Sequence, residues 1–99
     1  MTNSKLINET VIARINYAGV FMGVLDYVDD DIVRLTDVRR IYRWRGALSV
    51  TDMAQNGLIG GEITEPCAMV EFNRQNLIEI NKCSEDAVNS IKQIKPWKL

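Results

Sequence analysis

Short hydrophobic runs separated by turn-forming residues make up most of the chain. The runs are rich in β-branched and aromatic side chains and partly alternate with polar residues, which is typical of strands. The aspartates within 28–31 favour a turn, because such side chains bond to nearby backbone groups. Asp37 marks a second irregularity, a bulge or turn between two runs. The pattern predicts strands at 10–18, 19–27, 32–36, 38–45, 67–73 and 76–82.

Two segments carry the signals of short helices, and the first lies in the middle of the chain. Ser49 is a favourable N-cap, and Asp52 stands three residues later as its capping partner. A helix is therefore predicted over 50–56, ended by Gly57 in a left-handed conformation. The segment 58–66 contains glycines and a proline, so it is predicted to be a mobile loop that could close over a site.

The second predicted helix begins after Ser84, which is again a favourable N-cap. Pro96 is expected to end this helix, and Trp97 is expected to pack back on the domain because an exposed indole is costly. The helix would bury one apolar stripe, made of Ala87, Val88, Ile91 and Ile94.

These elements predict one small α+β domain. Residues 1–9 are expected to form a polar leader, and residues 10–99 a single domain with two short helices. Its antiparallel sheet would have five or six strands and be strongly bent, with barrel-like closure as one form. No apolar run approaches the roughly 18 residues that span a bilayer, and the first residues lack a signal-peptide core. We therefore expect a cytoplasmic protein without membrane contact.

The amino-acid composition disfavours several classes of function. The formal net charge is −1, which disfavours general nucleic-acid binding because such domains are usually basic. The chain has no histidine, so the usual general base at neutral pH is missing. Cys67 and Cys83 are not spaced as metal ligands and are expected to be buried thiols in a reducing compartment. Ser49 fits a cap better than a nucleophile. We expect no catalysis, no cofactor and no metal.

One segment is unusually basic. Residues 39–48, RRIYRWRGAL, hold four of the chain's seven arginines and no acidic residue. Strand alternation predicts two faces, one with Val38, Arg40, Tyr42 and Trp44 and the other with Arg39, Ile41, Arg43 and Arg45. Three arginines on one face repel one another unless acids or a bound anion neutralise them.

Two interpretations of this segment stay open at this point. In the structural one, nearby acids pair with the arginines across a hairpin; the candidates are Asp26, Asp29, Asp30, Asp31 and Asp37. In the functional one, guanidinium groups bind phosphate in a bidentate manner, aromatic faces stack on bases, and the helix start after Ser49 adds free N–H groups. The predicted ligand-binding residues are Arg39, Arg40, Tyr42, Arg43, Trp44, Arg45 and Ser49.

The same stretch carries a family resemblance. The segments GVFMGVL at 19–25, LTDVRRIYRWRGALSVTDMAQNGL at 35–58 and SEDAV at 84–88, with Trp97, resemble a family of small, mostly uncharacterised proteins encoded by bacteriophages and prophages. The core pattern is L-x-D-x-R-R-I-[WY]-x-W-x-G-A, and Tyr42 stands where tryptophan is usual. The resemblance implies a phage origin and action in the host cytoplasm.

Two functional hypotheses follow. The first is a non-enzymatic anti-defence sponge for a small anionic nucleotide-type ligand, such as a cyclic nucleotide or a cyclised ADP-ribose immune signal. Because ligand pockets usually span several hundred Å³, a chain of this size is expected to complete its site as a homo-oligomer. The second is a phage inhibitor that contacts a host defence or housekeeping protein directly, since Trp, Tyr and Arg dominate interface hot spots.

Overall fold

The computed structural model describes residues 5–97, and within this range the chain forms six strands and two helices. The helices are α1, Val50–Asn56, and α2, Glu85–Lys92, and a 3-10 turn at Arg74–Asn76 links the last two strands. The strands are β1 Thr10–Ile15, β2 Gly19–Val28, β3 Ile32–Arg45, β4 Gly60–Ile63, β5 Cys67–Asn73 and β6 Leu77–Lys82.

All strand pairs are antiparallel, and the order across the sheet is β4-β3-β2-β1-β6. The strand β5 also pairs with β3, along residues 32–38, whereas β4 pairs with residues 41–45 of the same strand. The predicted α+β class, with an antiparallel sheet and two short helices, is confirmed. Within residues 5–97 no strand pairing joins β6 to β4 or β5, so the sheet is not closed into a barrel.

The strand β3 is continuous where the sequence predicted two strands, at 32–36 and 38–45. Asp37 has a backbone φ of 50°, and the register with β2 shifts between the partners of Met22 and Val24. The predicted bulge is thus confirmed, but the predicted break between the strands is wrong. A β-bulge bends a strand without ending its pairing, which is why the strand continues through this position.

The prediction of a mobile loop at 58–66 is wrong over Gly60–Ile63, which form β4 against the second half of β3. A Cβ atom on Gly61 would lie 3.1 Å from the Cα atom of Trp44 and closer still to the carbonyl oxygen of Arg43. Glycine at this position therefore permits close approach of two backbones, rather than mobility.

Two hydrophobic cores lie on opposite faces of the sheet, as the alternation of Val11 and Ile12 shows. The helix-side core contains Ile12, Val20, Met22, Ile41, Val50, Met53, Ala54, Leu58, Ile63, Cys83 and Ile91. The β5-side core contains Val11, Ala13, Ile15, Phe21, Leu25, Val33, Leu35 and Val38. Phe72 of β5 and Ile80 of β6, at opposite sides of the sheet, both pack against this core.

The residues before β1 pack on the domain. Leu6 and Ile7 contact the β5-side core, and the backbone N–H of Asn8 donates to the carbonyl oxygen of Leu25 at 2.7 Å. Residues 5–9 of the predicted leader therefore contribute to the fold. Residues 1–4 of that leader, and 98–99 of the predicted domain, lie outside the described residues.

Both helices begin where their caps predict. The hydroxyl oxygen of Ser49 accepts from the N–H of Asp52 at 3.0 Å, and that of Ser84 accepts from the N–H of Ala87 at 3.0 Å. The Asp52 carboxylate accepts from the N–H of Leu48 instead of completing a capping box. The apolar stripe of α2 is confirmed, although α2 ends at Lys92, before Pro96. Within residues 5–97 neither helix has the length and hydrophobicity to cross a bilayer.

Gly57 is expected to tolerate no side chain. Its φ is 81° and its ψ is −159°, a region that glycine alone occupies readily and not the left-handed helical one predicted. A Cβ atom would also collide with the hydroxyl of Ser90 and lie 3.1 Å from the Cα of Ala87. We expect Gly57→Ala to lower the free energy of unfolding by about 1–3 kcal/mol or more, measured by chemical denaturation.

Gly19→Ala is the matched control for this substitution. Gly19 also has a positive φ, 115°, but no atom lies within 4 Å of the Cβ position. Gly19→Ala should therefore lower the free energy of unfolding by less than Gly57→Ala does, because it adds backbone strain without a collision. Equal losses for the two variants would contradict the packing of Gly57 against α2.

The two cysteines should differ in reactivity. Both are free; Cys83 is buried, as predicted, whereas Cys67 is exposed, so the prediction is wrong for Cys67. Burial raises the pKa of Cys83 to about 12. A thiol reagent at pH 8 should modify one thiol in the folded protein and two after denaturation, and rapid modification of both without denaturant would contradict this.

The buried thiol of Cys83 also makes stability depend on pH. Because the unfolded thiol ionises near 9, the free energy of unfolding should fall as the pH rises from about 9 to about 12.

Candidate functional site

Arg39 and Arg40 lie on opposite faces of β3. Arg39 pairs in register with Met22 of the helix-side core, and its side chain is only 15% exposed. Its Nη1 atom is 3.7 Å from the carboxylate of Asp37, whose other oxygen is 3.8 Å from Nζ of Lys92. Asp37 is thus shared between Arg39 and Lys92, and the buried Nη1 atom of Arg39 makes no hydrogen bond to a described residue. Arg39 faces the helix-side core and does not line the cavities beside Tyr42.

Arg40 is held rigidly on the other face. Its guanidinium carbon lies 4.7 Å from the ring centroid of Phe21 and 5.7 Å from that of Tyr42. Its Nη1 atom donates to the Tyr42 hydroxyl at 3.4 Å, and its backbone N–H donates to Oγ1 of Thr64 at 2.9 Å. Stacking on Phe21 fixes the guanidinium without using a carboxylate.

Two adjoining cavities lie beside Tyr42. The Arg40 pocket measures about 280 Å³ and is lined by Phe21, Val38, Arg40, Tyr42, Thr64, Glu65, Cys67 and Val70. The Trp97 cleft measures about 560 Å³ and is lined by Tyr42, Arg43, Glu62, Thr64 and Trp97. Tyr42 and Thr64 line both, so the two cavities form one surface depression with an arginine in each half.

Arg43 is the more accessible of the two arginines. Its side chain is 81% exposed, and its Nε atom is 3.9 Å from an oxygen of Glu62, which is too long for a hydrogen bond. An exposed ion pair at this distance contributes little to stability. The guanidinium group can therefore turn toward a ligand in the cleft at small cost.

A bulge brings Tyr42 and Arg43 to the same cleft. The register between β3 and β4 shifts between Ile41 and Arg43, so strict alternation fails here. The predicted grouping of Trp44 with Tyr42 is therefore wrong: Trp44 packs against the helix-side core. The prediction that Arg39 and Arg43 lie on the same face of β3 is wrong for the same reason.

Two other predicted residues lie apart from these cavities. Arg45 is exposed, with its guanidinium against Gly60, and Ser49 is occupied as the N-cap of α1. The helix α1 has seven residues, and neither Arg45 nor Ser49 lines the depression beside Tyr42. We leave both out of the proposed site.

Trp97 is the site residue that alternation along β3 could not identify. Its backbone N–H donates to the carbonyl oxygen of Ile63 at 2.8 Å, which adds the end of the described chain to the free edge of β4. Its side chain stays 50% exposed and forms one wall of the cleft. The backbone of Trp97 returns to the domain as predicted, but the predicted burial of its indole is wrong, because half of the residue stays exposed.

The acids of the β2–β3 turn do not neutralise the site. Asp29 accepts from the Tyr27 hydroxyl at 2.7 Å and from the N–H groups of Asp31 and Ile32, and these bonds lower its pKa. Asp26 pairs with Arg34 at 3.4 Å. Asp29 therefore stabilises the tight turn, and among residues 5–97 the carboxylate paired with Arg43 is that of Glu62.

The fold and the depression define a small α+β protein with an aromatic-walled surface depression that is lined by two arginines, Arg40 and Arg43, and two glutamates, Glu62 and Glu65. The chain belongs to a family described as a domain of unknown function (DUF6948), whose model matches residues 8–91. The match includes Arg40, Tyr42 and Arg43 and ends before Trp97. No curated protein and no solved structure matches the chain.

Proposed function

We propose that this chain binds a small anionic nucleotide-type ligand beside Tyr42, without changing it chemically. One observation carries the proposal: Arg40 and Arg43 flank Tyr42 in two adjoining cavities, and neither guanidinium makes a hydrogen bond to a carboxylate within residues 5–97. Such paired guanidinium groups suit phosphate oxygens.

The rest of the depression suits the base of a nucleotide. Tyr42 and Trp97 are both about half-exposed and wall the same cleft, and exposed aromatic rings bind bases by stacking. The cleft volume of about 560 Å³ lies in the range typical of small-molecule sites. Phosphate and base could therefore occupy neighbouring parts of one depression.

The proposed biological setting is phage defence against bacterial immunity. The resemblance to phage and prophage proteins suggests that the chain acts in the host cytoplasm as a sponge, sequestering a cyclic nucleotide or a cyclised ADP-ribose signal. Sequestration is stoichiometric, so it needs binding residues and no catalytic group. A second copy of the chain would enclose the open cleft, and light scattering with and without ligand measures that assembly.

A second candidate function is direct inhibition of a host protein. Leu48 is 99% exposed and Ile59 is 80% exposed, in the two loops that flank α1. The position of a Cβ on Gly46 is 2.9 Å from Ile59, so the loops touch, and the exposed Arg45 adjoins them. Exposed apolar patches mark protein–protein contact sites, and arginine is enriched at the hot spots of such interfaces.

A thermal-shift panel separates these functions. The panel contains cyclic dinucleotides, cyclic trinucleotides and ADP-ribose derivatives, and the bound ligand is then recovered by denaturing the protein. The sponge predicts a rise in Tm with one ligand class and its intact recovery. Recovery of a converted product would contradict the non-enzymatic proposal. No shift across the panel, with capture of a host protein from lysate, would favour direct inhibition.

A further inference from the structure

Glu62 is a carboxylate in the wall of the cleft proposed to bind an anion, and the role we infer for it rests on the proposed function. Glu62 lies on β4 opposite Arg43, and its side chain is 40% exposed. Within residues 5–97, the ion pair with Arg43 at 3.9 Å is its partner, and no group donates a hydrogen bond to the carboxylate. Its two oxygens are free to accept.

Thr64 adds a complementary group two residues along. Its Oγ1 atom accepts from the backbone N–H of Arg40 at 2.9 Å, which leaves the hydroxyl hydrogen to donate. No described residue accepts that hydrogen. Because Thr64 lines both cavities and Glu62 lines the Trp97 cleft, one wall presents two acceptors and a donor beside the rings of Tyr42 and Trp97.

A carboxylate repels phosphate, so Glu62 suits a different part of the ligand. An ionised carboxylate accepts only, and a hydroxyl can donate. Guanine presents two neighbouring donors, N1–H and the N2 amino group, beside the O6 acceptor. Adenine presents an N1 acceptor where guanine has a donor, and that lone pair would face the carboxylate. We propose that Glu62 selects guanine in the Trp97 cleft, with Thr64 donating to O6.

The test compares ligands that differ in the base alone. Titration calorimetry is run with cyclic dinucleotides built from guanine, hypoxanthine or adenine, which share the same phosphates. A correct bidentate base contact gives roughly tenfold discrimination, so we expect the guanine ligand to bind about tenfold more tightly than the adenine ligand. Hypoxanthine lacks the N2 amino group and should lie between them.

The variant Glu62→Gln should lose most of this preference, because its amide replaces one acceptor with a donor. Glu85→Gln, in the first turn of α2, is the matched control and should keep it. The preference for guanine must disappear with Glu62→Gln while adenine binding is kept or improved.

The outcomes separate this inference from the proposed function. Equal affinities, or tighter binding of adenine ligands, together with weaker binding in Arg43→Ala, would overturn guanine selection and leave the proposed function standing. Binding of an adenine-containing ADP-ribose derivative alone would do the same. No binding by any of these ligands or by the wider nucleotide panel would overturn both.

Discussion

Replacing Arg43 by alanine should weaken ligand binding by about 10- to 100-fold while leaving the fold intact. Hydrogen bonds to a charged group contribute about 1.5–3 kcal/mol each, and a guanidinium group can donate two to one phosphate. Arg43 is 81% exposed and makes a long ion pair with Glu62, so its removal costs the folded state little. Calorimetry with the ligand that gives the largest thermal shift measures the loss.

Arg14→Ala is the matched control, because Arg14 is an exposed arginine on β1, away from the cavities. The variant Arg14→Ala should bind the ligand with the same affinity as the unmodified chain. Arg40→Ala should weaken binding to a similar extent as Arg43→Ala, but with a fall in Tm, since Arg40 stacks on Phe21. Unchanged affinity in both Arg40→Ala and Arg43→Ala would contradict a site beside Tyr42.

Phe21→Ala should be the most destabilising of the proposed substitutions, lowering the free energy of unfolding by about 3–5 kcal/mol. Phe21 is 2% exposed, and its ring centroid lies 4.7 Å from that of Phe72, at an interplanar angle of 54°. The ring connects β2 to β5 and supports Arg40. Its removal leaves a cavity that strands in a continuous sheet cannot easily fill.

Chemical denaturation measures this cost, with Tyr17→Ala as the comparison. Tyr17 is also aromatic but is 94% exposed, and surface substitutions usually change stability by less than about 0.5 kcal/mol. Similar losses for Phe21→Ala and Tyr17→Ala would show that the β5-side core does not depend on this ring.

Local signals predicted the helix starts and the turns because they depend on neighbouring residues. Ser49 and Ser84 cap helices through hydrogen bonds three residues away, and Asp29 folds back on the next turn of backbone. Both partners of such contacts lie within a few residues of each other, so a short stretch of sequence is enough to predict them. The bulge at Asp37 was visible for the same reason.

Non-local pairing explains what the sequence could not show. The strand β4 contains two glycines and looks like a loop until its partner is known, because Gly61 fits closely against Arg43. The register shift opposite β4 then moves Trp44 to the helix-side core and Arg43 to the cleft. The alternation of side chains along β3 alone cannot predict that shift, because the shift depends on the pairing with β4.

The candidate site was therefore predicted in part. Arg40, Tyr42 and Arg43 line the two adjoining cavities, whereas Arg39 lies on the helix-side face beside Asp37. Trp97 reaches the cleft through the backbone hydrogen bond to Ile63, a contact between residues far apart in sequence. The motif placed Arg40, Tyr42 and Arg43 near one another in sequence, and the tertiary structure decides which of its arginines line the two cavities.

A crystal structure of the chain with its best-stabilising nucleotide tests the central claim most directly. We expect phosphate oxygens within about 2.7–3.2 Å of guanidinium nitrogens of Arg40 or Arg43, and a base lying against Tyr42 or Trp97. A ligand bound elsewhere on the domain, with this depression empty and Arg43 still beside Glu62, would contradict the account.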